Sequence, residues 1–95
     1  MISACEYTRM PRYFFHLLND VAEVPDEEGR ECETVADALV DARRSIGEII
    51  AEEVAYGKND VHITVTITDA RGIAIATLAA VTVVKISKTR AQGAE

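Results

Sequence analysis

The sequence predicts an α+β domain with the element order β-β-α-β-β, an antiparallel sheet with one long amphipathic helix packed on one face. Three observations lead to this class: an aromatic run at residues 12–19, a helical apolar spacing over residues 34–55, and a strict alternation over residues 61–68. A chain of 95 residues forms one domain, with no room for separate catalytic and regulatory domains.

The first predicted strand covers residues 12–19, where aromatic β-formers precede the turn pair Asn19-Asp20. The strand is apolar on both faces, with Tyr13, Phe15 and Leu17 on one and Phe14, His16 and Leu18 on the other. A strand of this kind is typical of the centre of a sheet covered on both sides. The predicted helix covers one of these two faces, and the sequence does not show which element covers the other.

An acidic hairpin follows at residues 22–32, where Pro25 and Gly29 bracket three acids. The Asp26-x-x-Gly29 spacing predicts a type I turn, with the aspartate capping it and the glycine at its exit, and a short return strand near Glu31. The alternative is a cation-binding loop, but the alternating oxygen ligands of a calcium loop are missing. We therefore expect a solvated acidic turn.

The clearest helix is predicted at residues 34–55. Thr34 with Asp37 three positions later predicts the N-terminal cap, and Gly57 the C-terminal stop. Gly47 lies beside the apolar stripe and either permits the close approach of a backbone or is simply tolerated at about 1 kcal/mol. The stripe has the three- and four-residue spacing of one helix face, and its members are Val35, Ala38, Leu39, Ala42, Ile46, Ile49, Ile50 and Val54.

A second hairpin is predicted at the C-terminal end. Residues 61–68 alternate as a strand with one buried face, Asp69-x-x-Gly72 repeats the turn motif, and residues 73–78 return as the partner strand. The alternation shifts after Ala80. Residues 81–86 therefore either continue the strand after a bulge or form a separate short strand.

Composition limits the class of partner. Sixteen acidic against ten basic residues give a formal charge of -6, which repels phosphate backbones. We therefore expect neither general nucleic-acid binding nor binding to anionic membranes.

The cysteine pattern bears on the compartment. Cys5 and Cys32 have neither CxxC nor metal-ligand spacing. Without a signal peptide or an apolar run near 18 residues, we expect a cytoplasmic protein with free thiols.

The boundaries of the folded unit are also predicted. Residues 1–9 show neither strand alternation nor helical periodicity, and Met10-Pro11 is a natural start for a domain. We expect a disordered extension at residues 1–9, a single α+β domain at 10–87 and a disordered polar tail at 88–95.

Four segments of the chain carry a resemblance to a known family: "MPRYFFHL", "PDEEGRE", "TVADALVDARR" and "ITDARG". Together they resemble a bacterial domain-of-unknown-function family of small proteins that open M-P-R-Y-F-F-H. The resemblance implies a fold and no catalytic residues. A looser similarity, in topology only, is to HicB-like antitoxin domains, which share the strand pair, the turn and the helix in that order.

Candidate chemistry is sparse. His16 and His62 are both predicted on the sheet face away from the helix, where a general base or metal site could use them, but no further ligand is predicted nearby. Ser45 and Ser87 lack a nucleophile motif. We therefore assign no catalytic, cofactor-binding or metal-binding residue and expect no enzyme activity.

The same face supplies the candidate interface. Phe14 and Leu18 would meet water there unless something covers them, and two-fold homodimers are the commonest cover. The alternative is that the segment from Val81 onward folds over this face. The candidate interface residues are Phe14, His16, Leu18, His62, Thr64 and Thr66.

The sequence thus predicts a non-enzymatic protein-interaction or regulatory module that acts as a homodimer, with an unidentified protein partner. The alternative function is a small-ligand-binding protein or minor enzyme that uses the His16 and His62 face.

Overall fold

The structure, a computed structural model, describes residues 10–89. The predicted extension at residues 1–9 and residues 90–95 of the predicted tail lie outside the described residues. Within the described range no helix combines the length and hydropathy that a membrane span requires. The elements in chain order are β1 Arg12–Leu18, β2 Glu23–Val24, β3 Arg30–Glu31, α1 Val35–Ala55, β4 Asp60–Thr68 and β5 Ala74–Val83.

The strands form one antiparallel sheet in the order β2-β1-β4-β5, which confirms the predicted α+β class. The return segment pairs with the outer edge of β1 at two places, because β2 meets the end of β1 at Leu18–Glu23 and β3 meets its start at Arg12–Glu31. Strand β1 is therefore central, as its two apolar faces predicted. Helix α1 connects β3 to β4, and β5 forms the opposite edge of the sheet.

Both ends of helix α1 are capped as predicted. The hydroxyl of Thr34 accepts a hydrogen bond of 3.1 Å from the backbone N–H of Asp37. At the other end Gly57, with φ of +102°, donates to Val54 O, and Lys58 donates to Glu53 O. This pair of bonds is the Schellman motif, which satisfies carbonyls that the last helical turn leaves unpaired.

The core lies between α1 and the helix-facing side of the sheet. The alternation of β4 puts Val61, Ile63, Val65 and Ile67 into it, and Ile63 and Ile67 are among the most completely buried side chains. From the helix come Ala38, Ala42 and Ile46, with Tyr13 of β1 and Cys32 completing the buried cluster. Half-buried apolar residues of β1, α1 and β5 surround it.

Strand β5 differs from the expectation of a shift after Ala80. Its register against β4 is unbroken from Ala76 to Val83, and the irregularity lies at the other end, where Ile67 pairs with Ala76 and Thr68 with Ala74. Val81 is therefore placed on the face away from the helix. The apparent shift in the sequence reflects this exposure, because the helix covers the small residues Ala76 and Ala80 of β5 while valines occupy the outer face.

The surroundings of Gly47 contradict one of the two predictions made for it, the close approach of a backbone. No atom of the described chain, outside the local helix backbone, lies within 4 Å of the position that a Cβ would take there. Within residues 10–89, therefore, no backbone approaches Gly47 closely.

Both D-x-x-G segments reverse the chain, but only Asp69-x-x-Gly72 is closed by a backbone hydrogen bond, from Gly72 N–H to Asp69 O, whereas Gly29 N–H donates to the side chain of Asp26. Gly29 has φ of +72° and Gly72 has φ of +86°, a left-handed conformation that glycine adopts without steric cost. Asp69 accepts backbone hydrogen bonds from Arg71 and Ile73 on one carboxylate oxygen. In each turn the aspartate side chain thus replaces a missing backbone partner.

Candidate functional site

The sheet face away from helix α1, termed the open face, carries the predicted interface residues. Phe14, His16 and Leu18 of β1 lie opposite Thr68, Thr66 and Thr64 of β4, respectively. Next in order, β5 places Thr77 opposite Thr66 and Val81 opposite His62. The sequence therefore located the residues of this face correctly.

The open face is only partly uncovered. Phe14 is half-buried, because its ring packs on the backbone of Gly29, where an added Cβ would come within 2.8 Å of Phe14 Cε2. Leu18 is 48% exposed and Val81 is 64% exposed. The acidic turn thus supplies part of the second cover that β1 required, and the exposed apolar surface lies further along, around Leu18 and Val81.

The two histidines do not come together. His16 is opposite Thr66, whereas His62 lies four residues away along β4, about 13 Å at the ~3.3 Å rise of a strand. The Nε2 atom of His62 instead lies 3.1 Å from Asp60 Oδ1 on an exposed part of the strand. A site that needs both imidazoles is not assembled within this chain.

Both ring nitrogens of His16 make structural hydrogen bonds. The backbone N–H of Asp26 donates to Nδ1 at 3.1 Å, so Nδ1 carries the lone pair. The proton of the neutral ring is then on Nε2, which lies 3.1 Å from Thr68 Oγ1 and donates to it. His16 therefore ties the acidic turn to β4 through its side chain.

The side chain of Asp26 joins the same turn to β1. One carboxylate oxygen accepts a 3.1 Å bond from the backbone N–H of Phe15, where a paired strand would have offered a carbonyl. The other oxygen accepts from the N–H groups of Glu28 and Gly29. Burial raises the pKa of Asp26, but the hydrogen bonds from the backbone N–H groups of Gly29, Phe15 and Glu28 oppose it, and the net pKa is lowered from 3.8.

The sequence motif indicated a turn at Asp26 but not its bond to β1. That bond joins residues eleven positions apart and depends on the return segment lying along the edge of the strand. No local spacing signals such a contact.

A shallow depression of about 250 Å³ lies on the open face between β2 and β4. Its chemistry combines one imidazole, one carboxylate and two hydroxyls with an apolar wall. The lining residues are His16, Leu17, Leu18, Glu23, Thr64 and Thr66. It is smaller than the ~300–1,000 Å³ of usual small-molecule sites.

A larger groove of about 480 Å³ lies where helix α1 passes over the free edge of β5. It is lined by Arg43, Ile46 and Gly47 of the helix and by Leu78, Ala79 and Ala80 of the strand. The sequence does not place Gly47 at a strand edge, because local patterns do not predict the order of the strands.

Cys32 is buried and its thiol is free. Burial and the adjacent carboxylate of Asp41, whose Oδ2 lies 3.8 Å from the sulfur, raise the pKa of the thiol. Such a thiol is a poor nucleophile. Cys5 lies outside the described residues. Within residues 10–89 no group of three or more His, Cys, Asp or Glu side chains is placed to hold a metal ion.

A protein-family model matches most of the described chain. The family model described as Domain of unknown function (DUF6894) matches residues 12–82. No curated protein and no solved structure matches the chain significantly.

Proposed function

The chain belongs to the DUF6894 family, a domain of unknown function, and we propose that it is a non-enzymatic protein-interaction module that acts as a homodimer. The observation that carries the proposal is the apolar surface that remains exposed in an otherwise acidic domain. Leu18 and Val81 on the open face and Val40 on the helix are each about half exposed or more. Surface of this kind marks sites of protein contact.

The position of the histidines supports an interaction module over an enzyme. The two histidines are four strand positions apart, about 13 Å along the sheet, and the two ring nitrogens of His16 join the acidic turn to β4. An imidazole that acts as a general acid or base needs a ring nitrogen that is free to exchange a proton with the substrate. His16 serves the fold instead.

Size adds a second line of support. A domain of about 100 residues buries only about 60–70% of the surface that its unfolded chain exposes. Most large buried side chains here belong to a single layer between one helix and β4. A second copy would add a further apolar interface to this thin core.

The test is the mass of the full chain in solution. Multi-angle light scattering over a concentration series should give twice the 10.4 kDa of one chain. A mass of one chain up to high micromolar concentration contradicts the homodimer.

A second candidate function is the binding of a small polar ligand in the open-face depression. Its support is the grouping of Glu23, Thr64 and Thr66 around His16 in one concavity. The candidate differs from the sequence-based alternative because His62 takes no part in it. A ligand screen by thermal shift, repeated with Thr64→Val, tests it: a stabilising compound must lose its effect in the variant.

A further inference from the structure

Within residues 10–89, no strand pairs with the outer edge of β5. The N–H of Val84 donates to Asn59 O, so in the alternating antiparallel ladder the even-numbered residues from Ala76 to Thr82 bond to β4. The N–H and C=O groups of Thr77, Ala79 and Val81 therefore point away from the sheet. They form a row of free donors and acceptors along the outer edge of β5.

This edge lacks the features that usually keep strand edges apart. Residues 74–83 contain no charge, no proline and no glycine. Natural sheets protect long edges with lysines, prolines, bulges or a covering element. The one irregularity of β5 lies at its hairpin end, so the row from Thr77 to Val81 is regular.

The opposite edge of the sheet is different. Glu23, Glu28 and Glu31 are exposed on or beside β2 and β3. Two copies that met along that edge would bring acid against acid in a chain of charge -6. Charge therefore favours β5 as the edge along which two copies pair.

Helix α1 carries a row of residues beside this edge, termed the seam. Successive seam residues are four, three, four, three and four positions apart, which places them on one side of the helix. Val40 is 53% exposed, Gly47 is open, and the one charge of the seam belongs to Arg43. The seam consists of Ala36, Val40, Arg43, Gly47, Ile50 and Val54, of which Ile50 and Val54 are also half-buried against the core.

We propose that a second copy of the chain occupies this surface, with β5 pairing antiparallel to β5 of the partner about a two-fold axis near Ala79 and with the two helices meeting at Gly47. The inference rests on the proposed homodimer and assigns its interface. It moves the dimer contact from the open face, where the sequence placed it, to the edge of β5 and the seam.

The spacing of the elements fits this arrangement. In this arrangement one strand spacing of ~4.8 Å separates the two β5 strands. Three spacings, about 14 Å, separate the two β4 strands. Since α1 packs over β4 and β5, the helix axes come within the range of the 8–10 Å at which helices pack. Gly47 lies with Ala79 in the lining of one groove, so a single axis serves both contacts.

Charge also fits across the axis. Arg43 has no acidic partner among the ion pairs of residues 10–89, whereas Arg44 pairs with Asp41. About an axis at Gly47, Arg43 of one copy lies opposite Ala51 of the other, so no like charge faces it there. The two Arg43 side chains start about 12 Å apart along the helix direction.

The area is close to what a dimer needs. The strand edge is about 33 Å long and the sheet and helix layers together are about 20 Å high, a face of roughly 650 Å². Standard interfaces bury about 800 Å² on each partner. Interdigitating side chains bury more than the flat area, and the strand ladder adds directional hydrogen bonds.

The test compares four variants with the wild-type full chain by light scattering, with circular dichroism to confirm folding. Gly47→Glu adds a charged side chain to the seam in open space and raises helix propensity, so the monomer stays folded. Ala79→Pro removes one outward N–H without removing a bond to β4. Each should raise the dimer dissociation constant at least about tenfold.

Gly47→Ala and Leu18→Glu are the controls. The first changes helix propensity without bulk or charge, and the second places a charge on the open face. Both should leave the dimer intact. If Ala79→Pro fails to fold, Gly47→Glu alone decides.

The outcomes separate the two proposals. A wild-type dimer that Gly47→Glu dissociates and Leu18→Glu does not supports the inference. A wild-type dimer with the reverse response overturns the β5 interface and keeps the homodimer, with its contact on the open face. A monomeric wild type overturns both the homodimer and the β5 interface. The β5 edge would then be open to an extended strand of a different protein.

Discussion

Asp26 is the side chain on which the acidic edge of the sheet depends. Its carboxylate accepts the N–H of Phe15 and so completes β1 where the return segment leaves the ladder between β2 and β3. The backbone N–H of the same residue donates to His16. One aspartate thus joins the acidic turn, the central strand β1 and the imidazole of His16, and a neutral or shorter acceptor would weaken all three contacts.

Replacing this carboxylate should change the acid sensitivity of the fold. The pKa of Asp26 is below 3.8 in the folded state, so its stabilisation is present above that value and is lost as pH falls through the folded pKa. Asp26→Asn should therefore lower the urea midpoint at neutral pH, and the difference from wild type should shrink at pH values below 3.8.

The control for this experiment is Glu27→Gln, which removes an exposed acid from the same turn. It should leave the midpoint nearly unchanged at neutral pH. A constant difference between wild type and Asp26→Asn at every pH would show that the charge of the carboxylate does not matter.

The two left-handed turn glycines should respond differently to the same substitution. Gly72→Ala meets only the strain of positive φ, about 1–2 kcal/mol, since nothing lies within 4 Å of its Cβ position. Gly29→Ala adds contacts of 2.8–2.9 Å with Phe14, Arg12 and Tyr13 O. Overpacking of this kind costs about 1–3 kcal/mol more.

Chemical denaturation of both variants measures the difference. We expect Gly29→Ala to lose more free energy of unfolding than Gly72→Ala. Equal losses would mean that the acidic turn moves away from Phe14 without cost, and that it does not cover the open face tightly.

Helix α1 has two apolar sides with different tasks. One side supplies Ala38, Ala42 and Ile46 to the core, and the seam through Val40 and Gly47 faces the free edge of β5. The helix must therefore be held in one rotational setting, since a turn of one residue, about 100°, would exchange the two sides. Its capped ends and the packing on β4 fix that setting.

The N-terminal cap gives the helix a testable start. Thr34→Ala removes the acceptor of the Asp37 N–H and should lower the free energy of unfolding by about 1 kcal/mol. Thr34→Ser keeps a hydroxyl and should retain most of the stability. Thermal or urea unfolding of the two variants tests this, and an alanine variant as stable as the serine variant would contradict the role of the cap.

The core and ladder contacts of the described residues extend over most of their length. The buried cluster runs from Tyr13 to Ile67, and the last ladder pair joins Asp60 to Val83. Beyond β5, Val84 still donates a 2.8 Å hydrogen bond to Asn59 O. These contacts set the shortest chain that keeps the sheet complete.

A chain trimmed to residues 10–88 should therefore melt within a few degrees of the full chain. A chain trimmed to residues 10–80 is the control, and it should be clearly less stable because it loses the pairs of Val81 to Val83 with β4. Loss of cooperative unfolding in the 10–88 chain would show that residues outside this range pack into the domain.

Local periodicity determined much of this protein from the sequence alone. The helix from Val35 to Ala55, the strand ending at Thr68, the caps at Thr34 and Gly57 and both D-x-x-G turns follow from the spacing of neighbouring residues. Each depends on contacts within a few positions along the chain. For that reason a single sequence suffices to predict them.

Tertiary structure alone decided the order of the strands, and with it the candidate site. Only the pairing of β1 with β4 separates His16 from His62, and only the position of β5 at the edge opens the groove beside Gly47. The bond from Asp26 to Phe15 likewise depends on where the return segment lies. Such contacts join residues far apart in sequence, and their free energy appears only once the chain has packed.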